Sequence, residues 1–390
     1  MRKARSMALI IGACATLLAL VGGVFAGGQF FRSYLFGLAF WLGLALGCFG
    51  LTMLHHLVGG RWGLATRRFY EAGLATLPLM AVLTLPLLFG LRHVYAWASA
   101  AQVLADPVLA HRHVYLNPAF FIVRILFYFA LWVWLGRILV HGSRLQDGCT
   151  DPSPTRRLRV VSAPGLIIYF LSATFAYVDL ILSLEPDWYS TIFLLLIIIG
   201  QTLAALAMGV VALKLHAKAP PLERVATPAC FRDLGNLLLA FVMLWAYMAF
   251  SQFLIIWNGN LPEEIAWYLH RSSSGWKAVV LLLGLFHFAI PFALLLSRGL
   301  KNQITVLCGI AVLVLFAHAV DIYWLIVPSF PAALGGPRSA GSFGLDLCSF
   351  LAIGGFWVAA FLSVLAKHPL VPMNDPRFGK QVTAGGLANV

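Results

Sequence analysis

Charged residues are scarce in this sequence: they make up 11% of its 390 residues, whereas 61% are hydrophobic. Soluble domains carry about 25% charged residues, so this composition excludes an ordinary soluble globular protein. Apolar runs of about 20 residues, long enough to cross a bilayer as a helix, recur along the whole chain. The short alternating segments of a membrane β-barrel are missing. The sequence therefore predicts an all-α polytopic membrane protein.

Cysteine motifs and soluble-enzyme motifs are also missing. The six cysteines show no CxxC or CxxCH spacing, which argues against an iron–sulfur cluster, a zinc site or covalently attached haem. No P-loop, GxSxG, HExxH or dinucleotide fingerprint is present. We therefore predict no catalytic residue, metal site or redox centre in this chain. A haem b held by His287 and His318, or a quinone pocket walled by aromatic side chains, stays open as an alternative.

Ten segments have the length and composition of transmembrane helices. They are residues 7–26, 33–58, 70–91, 118–140, 161–184, 190–215, 233–257, 275–297, 303–327 and 343–366. Most of the 27 lysine and arginine residues fall in the two termini and in the loops that share the side of the N-terminus. By the positive-inside rule, both termini are expected in the cytoplasm. The net charge of +13 is thus an orientation signal rather than the mark of a nucleic-acid partner.

The fifth and ninth predicted helices end alike. AYVDLILSLEP and HAVDIYWLIVP each place Asp seven residues before Pro: Asp179 and Pro186 in one, Asp321 and Pro328 in the other. This echo favours two similar four-helix bundles, helices 2–5 and 6–9, with helices one and ten flanking them, because duplicated bundles are common in membrane proteins. The predicted boundaries are 1–32 for the first flanking helix, 33–188 and 189–330 for the bundles, and 331–390 for the last flanking helix and a cytoplasmic tail.

A few ionisable side chains lie inside the predicted helices. A charge near the bilayer centre costs about 2.5–3.5 kcal/mol, so such residues usually face the protein interior and pair there. Helical rise places one group in the outer half of the membrane, one histidine near the midplane and another group at the cytoplasmic ends. The candidate proton-pathway residues are Arg124, Asp179, His287, His318, Asp321, His55, His56, Glu71, Tyr247 and Ser251. Chains of His and Asp with hydroxyls are typical of proton relays. Alternatively, such contacts only hold helices together, and Arg124 with Asp179 is a structural ion pair.

Several stretches resemble one family. They are HHLVGGRWG followed by RRFYEA, ADPVLAHRHVYLNPAFFIVRILFYFALW, SLEPDWYSTIF, AYMAFSQFLIIWNGNLPEEIAWYLHR and PLVPMNDPRF. They are spread between residues 55 and 378 and are similar to the second NrfD-like integral membrane subunit (ActF type) of bacterial alternative complex III. The resemblance covers nearly the whole chain. That complex is a quinol:cytochrome c or electron-acceptor oxidoreductase of the bacterial inner membrane.

The resemblance implies a set of partners and cofactors outside this chain. The expected partners are a multihaem cytochrome c subunit, an iron–sulfur subunit, a sister NrfD-like subunit that binds quinol, small membrane subunits, a monohaem cytochrome c and the lipid bilayer. Haem c and the iron–sulfur clusters then belong to partner subunits, and menaquinone or another quinone is the substrate within the complex. For this chain the resemblance implies a scaffold with two candidate proton half-channels, coupled to quinol oxidation in the sister subunit.

A second class of function stays open. Stand-alone secondary transporters are also built from duplicated helices with buried charges. They typically have helices broken near the midplane, and the central prolines of this sequence are Pro78 and Pro86 in helix three and Pro291 in helix eight. These prolines do not form a matched pair in the two predicted halves.

Overall fold

The structure is a computed structural model that describes residues 1–272, 275–330 and 340–377. Within these residues the chain is helical and contains no β-strand. Ten of the helices are long and apolar enough to cross a membrane. The predicted all-α architecture with ten candidate membrane spans is therefore confirmed.

The ten spans keep the order that the sequence predicts, and most are longer than predicted. In chain order they are Arg2–Phe25, Gly27–Val58, Arg61–Phe89, Pro118–Asp147, Ser153–Leu184, Thr191–His216, Pro228–Gly259, Trp276–Leu296, Ile304–Ser329 and Gly341–Leu365. Short helices lie in the connections: Leu91–Val94, Ala96–Ala98, Ala100–Ala105, Pro107–Arg112, Leu222–Arg224, Pro262–Ser272 and Arg298–Lys301.

Two spans are interrupted just before a proline. The third span consists of the helices Arg61–Leu74 and Leu77–Phe89, and Pro78 lies in the first turn of the second helix. In the eighth span a π-helical turn, Gly284–Ala289, precedes Pro291. Proline lacks an N–H and its ring clashes with the carbonyl four residues earlier, so the helix must break or widen at these places.

The second and sixth spans form the centre of the molecule. Their most apolar windows are 94% and 83% buried by the rest of the chain. A Cβ atom on Gly47 would lie 2.2 Å from the carbonyl oxygen of Gln201, so the two backbones approach more closely than any larger residue allows. Small residues at membrane helix interfaces permit this kind of contact.

The first span is attached to the molecule mainly through the tenth. Gly12 faces Gly355, where a Cβ atom would lie 2.5 Å from the Cα of Gly12. Ala8, Ala15 and Ala19 are the other buried residues of the first span besides Gly12, and most of its apolar side chains point outward. A stripe of small residues thus packs these two helices together, while the outer face of the first span is left for lipid.

The connections meet at two opposite ends of the helices. At one end, called the tail end here, Arg67 pairs with Asp375 at 2.7 Å and Arg61 pairs with Asp233 at 3.1 Å. At the other end, the far end, Glu185 pairs with Arg271 at 2.6 Å. These ion pairs join the ends of spans and the segments that connect or follow them at each end of the molecule.

Candidate functional site

Arg124 and Asp179 form a closed ion pair towards the far end, between the fourth and fifth spans. Arg124 donates from Nε and Nη2 to the two carboxylate oxygens at 2.9 and 2.8 Å, and from Nη1 to the carbonyl of Tyr115 at 2.8 Å. Tyr128 donates to the same carboxylate at 3.0 Å. The guanidinium also lies 3.8 Å from the centre of the Tyr115 ring. Bidentate geometry of this kind favours a fixed, fully charged pair.

A second closed network lies at the tail end around Glu71. Arg68 donates to Glu71 at 2.7 Å and also pairs with Asp147, and Arg67 lies 3.2 Å from Glu71. Ser143 donates to Glu71 at 2.5 Å. The segment HHLVGGRWG…RRFYEA therefore brings two arginines and an acid into one buried cluster, which charge pairing makes tolerable away from water.

The C-terminal segment, which follows the last span, adds a further acid to this network. Asp375 accepts from Arg67 at 2.7 Å and from Arg377 at 3.1 Å, and its side chain is fully buried. Burial alone raises the pKa of Asp375, but Arg67 and Arg377 together hold it well below its ordinary value. Arg377 also donates to the backbone carbonyl of His55 at 3.4 Å. The C-terminal segment is thus bound to the end of the second span.

Two adjacent histidines lie at this end of the second span. His55 and His56 are both buried, and within the described residues none of their four ring nitrogens has a hydrogen-bond partner. The His55 ring occupies the space opposite Gly63, where a Cβ atom would lie 1.8 Å from the ring. Buried polar groups almost always have partners, so two such histidines side by side are unusual.

A further buried group lies between the seventh, eighth and ninth spans. His318 and Asp321 are one helical turn apart, with Nδ1 of His318 3.9 Å from the carboxylate. Trp245 donates from Nε1 to the same carboxylate oxygen at 3.1 Å. The His287 ring lies 4.0 Å from the Trp245 ring and 6.0 Å from the His318 ring, measured between centroids. We call these four residues the central group.

Local backbone features aim the side chains of the central group. His287 stands in the π-helical turn before Pro291, and such turns often occur at functional sites. Gly200 faces His318, and a Cβ atom there would lie 2.9 Å from the imidazole. In the described residues, both nitrogens of His287 and Nδ1 of His318 have no hydrogen-bond partner.

The two remaining candidates lie away from these groups. Tyr247 is 64% exposed on the outer surface of the seventh span, and Ser251, one turn later, is only partly buried. Neither is a hydrogen-bond partner of the central group among the described residues. A stripe at helical spacing shows that residues share a face, but it does not show which way that face points.

Two buried polar clusters were missing from the sequence-based prediction. Arg271 is 1% exposed and pairs with Glu185, and it also donates to Ser329 at 2.6 Å. Asp346, in the tenth span, accepts from Ser33 at 2.6 Å and from Tyr323 at 3.0 Å. An acid within an apolar run was the available signal for Asp346. Arg271 and Glu185 lie in two different connections between spans, and the sequence does not indicate that these connections are in contact.

The buried ionisable groups therefore differ in how well they are satisfied. Arg124 with Asp179, and Glu71 with its two arginines, have charge partners at hydrogen-bond distance. His55, His56 and the histidines of the central group retain ring nitrogens without partners in the described part of the chain. Satisfied pairs stabilise a fold, whereas unsatisfied imidazoles have a free position for water or a proton.

Comparison with known proteins adds no assignment to this geometry. A scan against protein-family models found no match, and a search of curated proteins found none. The arrangement of the buried polar groups, beside the resemblance of the sequence stretches, is therefore the basis for a functional proposal.

Proposed function

We propose that the chain is an integral membrane subunit of a respiratory quinol:electron-acceptor oxidoreductase of the alternative complex III type. In this proposal it acts as a scaffold and carries protons while quinol is oxidised in a sister NrfD-like subunit. The resemblance of SLEPDWYSTIF, SQFLIIWNGNLPEE and PLVPMNDPRF to that family supports the assignment to the complex. The central group supports the proton-carrying part.

The observation that carries the proton proposal is the contrast inside the membrane region. The carboxylate of Asp321 has Trp245 as a donor at 3.1 Å and His318 at 3.9 Å, without a lysine or arginine partner among the ion pairs of the described residues. A structural anchor would be paired, as Asp179 is with Arg124. Ionisable groups inside membrane spans often mark proton or ion pathways.

Each residue of the central group has a distinct part in this proposal. Asp321 holds a proton or releases it, and His318, one helical turn away, exchanges it through water. Trp245 fixes the carboxylate by its N–H without competing for the proton, because indole is a donor only. His287, 6.0 Å from His318, continues the path towards the middle of the eighth span. Gln or Asn cannot replace a group that must gain and lose a proton.

His55 and His56 serve as the tail-end half of the path in the same proposal. Their unpartnered imidazoles lie under the Arg67–Asp375 pair, at the end where the tail is fastened. The Glu71 network and the Arg124–Asp179 pair then hold the surrounding helices in place. This division assigns transport to the unsatisfied groups and stability to the satisfied ones.

The proposed orientation and repeat arrangement follow from charge and from contacts. The excess of lysine and arginine on the tail end favours a cytoplasmic location for both termini, in the inner membrane of a bacterium. The second span packs on the third and fifth, and the fourth packs on the fifth. The sixth span packs on the seventh and ninth, and the eighth packs on the seventh. The second and sixth spans are in contact between the two sets. We propose that these sets are the two four-helix bundles, with the first and tenth spans flanking them.

Purification in a gentle detergent tests membership of the complex. We expect the chain to co-purify with haem-containing and iron–sulfur partners, and the preparation to show haem absorbance. Recovery of the chain alone, without haem absorbance, would contradict the proposal. The control is an affinity tag on an unrelated inner-membrane protein from the same cells, which should recover no haem.

A secondary transporter is the alternative, and one structural feature favours it. The third span breaks after Leu74 and the eighth span has a π-helical turn at Gly284–Ala289, so two spans carry the interruptions that transporters place at substrate sites. Accumulation of a labelled solute by proteoliposomes that contain this chain alone would support the transporter. The oxidoreductase subunit should show no such accumulation.

A further inference from the structure

A cavity of about 410 Å³ opens at the far end, beside the Arg124–Asp179 pair. It lies between the short helix Pro107–Arg112, the loop that follows it and the end of the fifth span. Its lining side chains include His111, Arg112, Tyr115, Val178 and Leu182. A volume of this size is in the range of small-molecule sites, which are about 300–1,000 Å³.

The polar side of the cavity is cationic. Arg112 is partly buried and donates one hydrogen bond to the carbonyl of Pro186. No carboxylate lines the cavity, and Arg112 forms no ion pair within the described residues. A guanidinium has five N–H donors, so most of them remain available at this site. His111 adds a further donor at the rim.

The other side of the cavity is apolar and faces the membrane region. Val178 and Leu182 belong to the fifth span, and both are only partly buried. Val114 is 87% exposed, and Tyr189, in the loop between the fifth and sixth spans, is 63% exposed. An exposed tyrosine is typical of the membrane–water interface. The cavity thus joins a cationic wall outside the spans to an apolar wall along a span.

We propose that this cavity binds an anionic phospholipid, with its phosphate at Arg112 and His111 and an acyl chain along Val178 and Leu182. A zwitterionic headgroup such as phosphatidylcholine also has a phosphate, but its ammonium group would lie near the unpaired guanidinium and oppose binding, so an anionic headgroup is preferred. A free phosphate ion would leave the apolar wall uncovered. Arginine suits this contact, because its planar guanidinium can donate two parallel hydrogen bonds to a phosphate. The lipid would fill the space between the surface helix and the fifth span.

Native mass spectrometry of the purified full chain tests this proposal. The probes are phosphatidylglycerol and phosphatidylcholine with identical acyl chains, added at equal concentration. We expect phosphatidylglycerol to be retained about fivefold better, the effect of one basic residue near a headgroup. Arg112→Gln should abolish the preference and Arg112→Lys should keep most of it. Arg92→Gln removes an exposed charge at the same end outside the cavity, so it is the matched control and should change nothing.

Three results would overturn the proposal. One is equal retention of the two lipids by the wild-type chain. Another is an unchanged preference in Arg112→Gln. The third is displacement of phosphatidylglycerol by an equal concentration of water-soluble glycerol phosphate, which would define a site for the free anion instead. Leu182→Trp places a larger side chain in the apolar part of the cavity and leaves Arg112 and its contact with Pro186 in place. It should therefore lower retention of the lipid by occupying its site and not by unfolding the chain.

Discussion

The pair of Arg124 and Asp179 gives the sharpest prediction about stability. Arg124 makes two hydrogen bonds to the carboxylate, at 2.9 and 2.8 Å, and the carboxylate is 0% exposed. Replacing Arg124 by Met leaves that carboxylate with only the Tyr128 hydroxyl among the side-chain donors described. Stranding one member of a buried pair costs about 3–5 kcal/mol. We expect Arg124→Met to lower the free energy of unfolding by that amount.

The double variant separates the charge from the packing. Replacing a whole buried pair by apolar residues of similar size is often neutral, because no unpaired charge is left. Arg124→Met combined with Asp179→Leu should therefore be more stable than the single variant. Its recovery should be incomplete, because the Tyr128 hydroxyl and the Tyr115 carbonyl lose these hydrogen-bond partners.

Unfolding in mixed micelles, followed by tryptophan fluorescence and by the amount of folded chain recovered from membranes, measures both effects. A single variant as stable as the wild type would refute the view that the pair is a buried anchor. A double variant no better than the single one would refute the electrostatic reason for the loss.

Two further predictions concern packing and pH. Gly355→Leu should weaken the attachment of the first span to the tenth, because a side chain at this position clashes with Gly12. Overpacking of this kind costs about 1–3 kcal/mol. Protease cleavage near the N-terminus should therefore become faster, and an unchanged rate would contradict the close contact. The tail should stay fastened at neutral pH, because Arg67 and Arg377 lower the pKa of Asp375. A lowered pKa gives stability that is complete above the ordinary value near 3.9 and is lost as the pH falls below it. The protection of residues 366–377 against hydrogen exchange, relative to the intrinsic rate at each pH, should therefore be constant above about pH 5 and fall in acid, while Asp375→Asn should show low protection at all pH values.

Hydrophobic runs were enough to locate the spans, but not to place all their ends. The third span begins at Arg61 rather than at residue 70. Its first turns contain Arg67 and Arg68, which look too polar for a buried helix until their acid partners are known. Those partners, such as Asp147 and Asp375, lie far along the chain. A single sequence does not show such long-range pairing, so this part of the helix could not be predicted from local polarity.

The candidate site shows the same limit. His318 and Asp321 could be predicted to share a face, because three residues make nearly one helical turn. Their contact with Trp245 and the nearby His287 depends on how three spans pack, which periodicity does not determine. Tyr247 shows the converse: it was predicted to be a proton-pathway residue, yet its side chain lies on the outer surface of the chain.

The number of protons moved per quinol oxidised, measured in proteoliposomes that contain the intact complex, tests the central claim most directly. We predict that Asp321→Leu assembles normally and oxidises quinol but moves fewer protons per quinol, since its carboxylate is the acid of the central group and has no lysine or arginine partner among the described residues. Arg124→Met with Asp179→Leu is the matched control, and should keep the wild-type ratio. An unchanged ratio in Asp321→Leu at normal quinol turnover would contradict the account and leave the buried polar groups with a structural role alone.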